Sequence, residues 1–204
     1  MTSVPAILTE DQRDCYQEIT NVAMGQAADS LARLLGAYVV LPIPRVSIIE
    51  CSELNMALHE AGSDDSVSAV CQGFIGAGIA GEALLLFNDT SFASLASLMK
   101  YAGPLNHQAE LELLMDTASV LIGACVQGLG DQLEIHFNQS HPVVLGQHCQ
   151  TDDILRSGNQ AWQRTLAIEI HYTIEHMNID CELLLLFTEE SVKTLNKKID
   201  FLLD

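Results

Sequence analysis

The feature that most limits how this chain can fold is an internal duplication. A shift of 98 positions aligns a helical stretch near residue 20 with one near residue 118, and brings a glycine and a proline into register. A shift of 100 positions aligns EALLLF at 82–87 with ELLLLF at 182–187. The chain is therefore predicted to consist of two related halves, about 8–103 and 106–204, that share the core of one domain over residues 1–204. The pairs aligned by the first shift are Asp14 with Glu112, Gly25 with Gly123, and Pro44 with Pro142.

The hydrophobic periodicity predicts the same order of elements in each half: a helix, three antiparallel strands and a second helix, which makes an α+β fold. Thr9 with Gln12 predicts a capping box at the start of the first helix, and Gly36 predicts its end. The predicted helices cover 10–35, 89–101, 108–133 and 189–202. The predicted strands cover 38–50, interrupted by prolines that confine it to a sheet edge, then 67–76, 79–87, 143–147, 165–174 and 179–187.

One face of the first helix is polar. Asp14, Glu18, Asn21 and Gly25 fall within about 60° of one another at 100° per residue. On one helix alone, such a stripe is most often only a solvated surface. The residues predicted to face the core from the opposite side are Tyr16, Ile19, Ala23, Ala27 and Leu34.

Composition narrows the classes of partner. The chain has 204 residues, of which 49% are hydrophobic and 18% charged, so it can bury a substantial core. Its net charge of −18 argues against nucleic acid and against anionic membranes as partners. No basic leader or spanning segment is recognisable, so a soluble, cytoplasmic protein is expected. A partner should present local positive charge at the contact.

Other motifs have simpler interpretations. Gly76-x-Gly78-x-x-Gly81 is followed by a strand rather than a helix, so it predicts a hairpin turn and not a dinucleotide site. The histidine pairs 136/141 and 171/176 lack a matching ligand cluster, so no intrinsic metal site is expected. The six cysteines are expected to be reduced and mostly buried, and Cys15 is not expected to be a nucleophile.

The pattern Asp14-x3-Glu18-x2-Asn21-x22-Pro44 resembles the signature of the CheC/CheX/FliY family of chemotaxis proteins. Members of that family remove the phosphoryl group from the aspartyl phosphate of the response regulator CheY. The chain looks most like CheC, in which the signature helix occurs twice. The resemblance implies a pseudo-two-fold, CheC-like fold with both signature helices on the same exposed side.

The resemblance implies a role for each residue of the first copy. A carboxamide can accept from and donate to a water without repelling a phosphoryl group, so Asn21 is the candidate that positions the attacking water. Glu18 is expected to pair with a lysine of the regulator, and Asp14 to support it. Gly25 would allow close approach, and Pro44 would fix the chain that leads to the sheet. Mg²⁺ would belong to the phosphorylated CheY-like regulator, so no intrinsic cofactor is expected.

The second copy departs from the pattern. Glu112 and Pro142 align with Asp14 and Pro44, but Asp116 replaces the Glu and Ser119 replaces the Asn. Aspartate reaches less far than glutamate, and serine lacks the planar amide. A degenerate second site of little activity is therefore expected.

Three alternatives stay open. The chain could be a non-catalytic docking module that sequesters a regulator, or an assembly protein like the flagellar-switch relatives that share the fold. A small-molecule enzyme has no motif to support it. An activating CheD-like deamidase partner and the oligomeric state are also open.

Overall fold

The computed structural model describes residues 8–50, 53, 66–150, 153–154, 164–174, 177 and 179–203. The polar loops predicted around 51–65 and 149–160 and the turn at 176–178 lie largely outside these residues. The elements of the first half are α1 (Glu10–Leu35), β1 (Val39–Val40), β2 (Arg45–Glu50), β3 (Val67–Gly76), β4 (Ile79–Asn88), a 3-10 turn (Asp89–Ser91) and α2 (Phe92–Leu98). Those of the second half are α3 (His107–Leu133), β5 (Asn138–Gln139), β6 (Val143–Cys149), β7 (Arg164–Ile174), β8 (Ile179–Phe187) and α4 (Glu189–Leu203).

The described strands form one antiparallel sheet, as the α+β prediction requires. Its order is β1-β7-β8-β4-β3-β5, with β2 beside β1 on β7 and β6 beside β5 on β3. Each strand of the first half has a counterpart in the second half: β1 with β5, β2 with β6, β3 with β7 and β4 with β8. When these counterparts are exchanged, the order is the same as before, read from the opposite edge of the sheet. The central pairing has the same symmetry, because Leu84 faces its own counterpart Leu184 in the register of β4 with β8. A duplicated chain would have this arrangement, and the duplication itself stays a prediction.

Capping fixes both ends of the long helices. Thr9 and Gln12 form the predicted capping box at the start of α1, and Gly36 ends it in the left-handed region at φ 62°. Asn106 caps α3 by accepting from the backbone N–H of Ala109 at 3.0 Å. Glu134 ends α3 with a φ of 53°. Under the 98-residue shift the two helices therefore end at equivalent positions and begin within one residue of each other.

The long helices α1 and α3 pack against each other on one face of the sheet. The contact is close, because a Cβ added at Gly128 of α3 would lie 2.8 Å from the Cα of Ala23 in α1. Helix α3 is long and apolar enough to cross a membrane by length and composition, and 61% of its apolar window is buried inside the protein. That burial is the state expected of a core helix.

The sheet is apolar on both faces. Along β8, Leu183, Leu185 and Phe187 join the main core under the helices. The alternate residues Leu184 and Leu186 belong to a smaller cluster on the opposite face. Successive strand residues point to opposite faces, so burial on both sides explains the uninterrupted apolar run.

Four details differ from the predicted elements. The edge segment 38–50 is two strands, because Pro42 and Pro44 cannot donate ladder hydrogen bonds. The two-residue strand β5 was not predicted, and α2 ends at Leu98 rather than near 101. Leu34, predicted to face the core, is 37% exposed, since the buried face of the last turn of α1 is formed by Leu31 and Leu35 instead.

Candidate functional site

The predicted stripe lies on the outer face of α1. Asp14, Glu18 and Asn21 are exposed, while Tyr16, Ile19 and the other core-facing positions before Leu34 are buried. Within the part of the chain that the structure describes, the side chains of Asp14, Glu18 and Asn21 make no hydrogen bond or ion pair. Their carboxylate and amide groups are therefore available to another molecule.

Gly25 continues the stripe one turn after Asn21. A Cβ built on Gly25 would meet no heavy atom within 4 Å, so packing within the chain does not require a glycine there. A glycine inside a helix costs about 1 kcal/mol relative to alanine. The stripe is thus flattest where a partner's backbone could approach α1.

Gln17 ties α1 to the segment that leads into β2. Its side-chain Nε2 donates to the carbonyl oxygen of Pro44 at 3.1 Å, and Pro44 is buried. Pro44 thus differs from the other four candidates in being inaccessible, and its contact with Gln17 holds the chain beside the helix. This contact joins Pro44 to the turn of α1 that carries Glu18.

The start of α1 is held by α4. The hydroxyl of buried Tyr16 donates to Oδ1 of Asn196 at 2.7 Å, and Nε2 of Gln12 donates to Oδ1 of Asp200 at 2.8 Å. Burial raises the pKa of the Tyr16 hydroxyl, so it stays a neutral donor. These contacts orient the stripe from a rigid element, as a positioning site requires.

The second copy lies on the exposed face of α3, where Glu112, Asp116 and Ser119 are all exposed. The hydroxyl of Ser119 donates to the carbonyl oxygen of Met115 at 2.8 Å, so its proton is used within its own helix. Met115 stands where α1 has Gln17, and a thioether cannot donate to the half-buried Pro142 segment. The second copy therefore lacks both the side-chain amide of Asn21 and the hydrogen bond that joins Gln17 to Pro44.

Solved structures show which fold this is. Over 95% of this chain and 98% of the other, FliY from Thermotoga maritima superposes with a TM-score of 0.66 at 20% identity. The fold is that of CheC, CheX and FliY. The middle domain of FliM from Vibrio alginolyticus matches over 90% of this chain and 99% of that one, with a TM-score of 0.62 at 10% identity.

A third match is CheX in a complex with CheY, BeF3 and Mg²⁺ from Borrelia burgdorferi. It covers 85% of this chain and 98% of that chain, with a TM-score of 0.54 at 13% identity. No protein-family model matches the chain, and no curated protein matches it. The fold expected from the resemblance is thereby confirmed, and at these identities the roles of single residues stay predictions.

The structure bears on three other kinds of site: a metal site, a dinucleotide site and a nucleophilic cysteine. Among the described residues, no group of three or more His, Cys, Asp or Glu side chains is placed to hold a metal ion. Gly76, Gly78 and Gly81 lie in the β3–β4 hairpin, as predicted. Burial raises the pKa of the Cys15 thiol, which disfavours the thiolate that a nucleophile needs.

The sequence did not reveal one polar cluster of this chain. The ring of His148 lies between Asp89, 2.9 Å from its Nδ1, and Glu110, 2.7 Å from its Nε2. These residues come from β6, the turn after β4, and the first turn of α3. Their separation along the chain left no spacing signal. The Gln17–Pro44 contact was missed for the same reason, although the exchange of Gln17 for Met115 between the copies was a visible hint.

Proposed function

We propose that this protein is a phosphatase that hydrolyses the aspartyl phosphate of a CheY-like response regulator, in chemotaxis or related two-component signalling in the cytoplasm. The observation that carries the proposal is the exposed row of Asp14, Glu18 and Asn21, whose side chains have no partner among the described residues, on a helix fixed at both ends. The occurrence of the same fold in a CheX–CheY complex supports a regulator as the partner.

Asn21 is proposed to orient the attacking water. Its amide carbonyl would accept from the water and its NH2 group would donate, and neither group carries a charge that repels the phosphoryl oxygens. Hydrolysis then needs the water held in line with the phosphorus, which is a matter of position more than of covalent chemistry. An exposed amide with no other hydrogen-bond partner among the described residues suits that task.

Glu18 is proposed to dock the helix by pairing with a lysine of the regulator. A carboxylate beside a phosphoryl group would be repelled, so Glu18 is better suited to binding than to abstracting a proton. Asp14, one turn earlier, adds negative charge on the same side of the lysine. Mg²⁺ held by the regulator would supply the positive charge that phosphoryl transfer needs.

The second copy is proposed to contribute little hydrolysis. The hydroxyl of Ser119 donates its hydrogen bond to the carbonyl oxygen of Met115, so it offers a water only acceptor lone pairs. Asp116 is exposed but one methylene shorter than Glu18. A weak second binding face is the most that Glu112, Asp116 and Ser119 would provide.

The second candidate function is a non-catalytic one, in which the chain docks on a regulator or joins an assembly of the flagellar-switch kind. The match to the FliM middle domain favours it, because the fold extends to that protein at a TM-score of 0.62. The intact Glu18 and Asn21 favour the enzyme, since a docking surface has no need for a water-orienting amide.

Turnover separates the two functions. A CheY-like regulator of the same organism is phosphorylated with a small-molecule donor, and its decay is followed with one chain per fifty regulators. An enzyme accelerates the decay of the whole regulator population. A docking protein affects at most one regulator molecule for each of its own chains. Unchanged decay at this ratio would reject the phosphatase.

A further inference from the structure

The segment between α1 and β2 exposes apolar side chains beside the stripe. Ile43 is 75% exposed and Tyr38 is 73% exposed, and Val40 between them is 40% exposed. Exposed apolar residues are ordinary when they are isolated, but three within six positions of one segment are not. We refer to Tyr38, Val40 and Ile43 as the apolar strip.

The second half shows that the fold does not need these side chains. The register of the halves is fixed here, because α1 and α3 end at Leu35 and Leu133, and Val39 and Phe137 are both buried. In this register every member of the apolar strip has a polar, exposed counterpart. The pairs are Tyr38 with His136, Val40 with Asn138, and Ile43 with His141.

The apolar strip runs back along α1 toward the stripe. It begins just after Leu35, and it ends next to Pro44, which accepts the hydrogen bond from Gln17. Asn21 lies one helical turn, about 6 Å, beyond Gln17 along the axis. The strip therefore runs from the C-terminal end of α1 back to the residue before Pro44, which contacts the turn of α1 that carries Gln17 and Glu18.

We infer that the apolar strip is a second contact for the phosphorylated response regulator, held in place by Gln17 and covered by an apolar surface beside the regulator's phosphorylated aspartate. The inference rests on the proposed function, because it takes the regulator as the molecule that meets the stripe. An interface of standard size buries about 800 Å² per partner, enough to include both the stripe and the strip.

Two observations favour the regulator over a second copy of this chain. The strip is apolar only in the half that keeps Glu18 and Asn21, which links it to the stripe. The net charge of −18 makes two copies repel each other. The strip itself is uncharged, so it adds contact area without adding repulsion against a phosphoryl-bearing partner.

The test replaces Ile43 with the residue that the second half already carries at the equivalent position. Binding of the BeF3- and Mg²⁺-loaded CheY-like regulator is measured for wild type, Ile43→His and Ile75→His. Ile75 is a matched control, since it is a 58% exposed isoleucine at the far end of β3. We expect Ile43→His to raise Kd and KM about tenfold with little change in kcat, and Ile75→His to bind like wild type.

Each contrary outcome has its own meaning. Wild-type affinity in Ile43→His would overturn the inference while leaving the phosphatase intact. Binding without hydrolysis by wild type would reject the phosphatase, and the Kd of Ile43→His would still decide the role of the strip. A dimer by sedimentation that Ile43→His converts to monomer would assign the strip to a second copy instead. Absence of any regulator binding by wild type would overturn both proposals.

Discussion

Gly25 is the residue of the stripe that the packing of the chain explains least. Space is open around its α-carbon, and an alanine there would restrict the unfolded chain and favour helix. Gly25→Ala is expected to raise the free energy of unfolding by about 0.5–1 kcal/mol. If a regulator approaches closely at this point, the same change should weaken its binding. Urea denaturation and regulator affinity measure the two effects.

Gly123 of α3 provides the matched control, because a Cβ there would also meet nothing within 4 Å. Gly123→Ala should give a similar gain in stability without loss of regulator binding. Equal binding by Gly25→Ala and Gly123→Ala would show that Gly25 does not face the partner.

At the scale of elements, the packing contact between α1 and α3, called here the seam, determines which face of α1 is exposed and so where the stripe lies. A Cβ at Gly128 would come within 2.8 Å of the Ala23 backbone, so the two helices would have to separate. Gly128→Ala is expected to lower the free energy of unfolding by about 1–3 kcal/mol. Chemical denaturation measures the change, with Gly123→Ala on the same helix as the control. A Gly128→Ala protein as stable as wild type would show that the seam is looser than described.

The His148 cluster joins three elements and should make their stability depend on pH. Partial burial opposes protonation, but hydrogen bonds to Asp89 and Glu110 and their charges raise the pKa of His148 above its usual value. A raised pKa means that the folded state binds the proton more tightly than the unfolded state does. The stabilisation is therefore complete below about pH 6.5 and is lost as pH rises through the raised pKa. Because the ring is partly exposed, we expect less than about 1 kcal/mol.

The comparison of wild type with His148→Gln isolates this effect. Burial and the neighbouring Glu169 raise the pKa of Glu182 to about 7, which also lowers stability as pH rises. The difference between the two proteins removes the contribution of Glu182. Urea denaturation from pH 5 to 8.5 should show this difference shrinking toward high pH. A difference that is constant across this range would mean that the imidazole does not titrate against the two carboxylates.

At the scale of the whole molecule, most helices and strands could be predicted from local features of the sequence, such as cap and turn residues. The bounds of α1 were predictable because Thr9, Gln12 and Gly36 are cap residues whose effect does not depend on distant parts of the chain. The β3–β4 hairpin was predictable from its turn residues, and Ala77 and Gly78 both have positive φ there. A two-residue strand such as β5 has no periodicity to read, so it could not be predicted.

The candidate site divides in the same way. The exposure of Asp14, Glu18 and Asn21 follows from helical spacing alone. The link from Gln17 to Pro44 and the position of Ile43 beside the helix depend on how β2 pairs with β7, which is a tertiary property. The sequence hinted at this arrangement only through the repeat, which aligns Gln17 with Met115 and Ile43 with His141.

The measurement that tests the central claim most directly is the decay of a phosphorylated CheY-like regulator with catalytic amounts of wild type, Asn21→Ala and Ser119→Ala. A positioned water contributes about 10²-fold or more, so Asn21→Ala should lose nearly all acceleration while still binding the BeF3-loaded regulator. Ser119→Ala should keep the wild-type rate. Acceleration retained by Asn21→Ala, or abolished by Ser119→Ala, would contradict the assignment of the active site to α1.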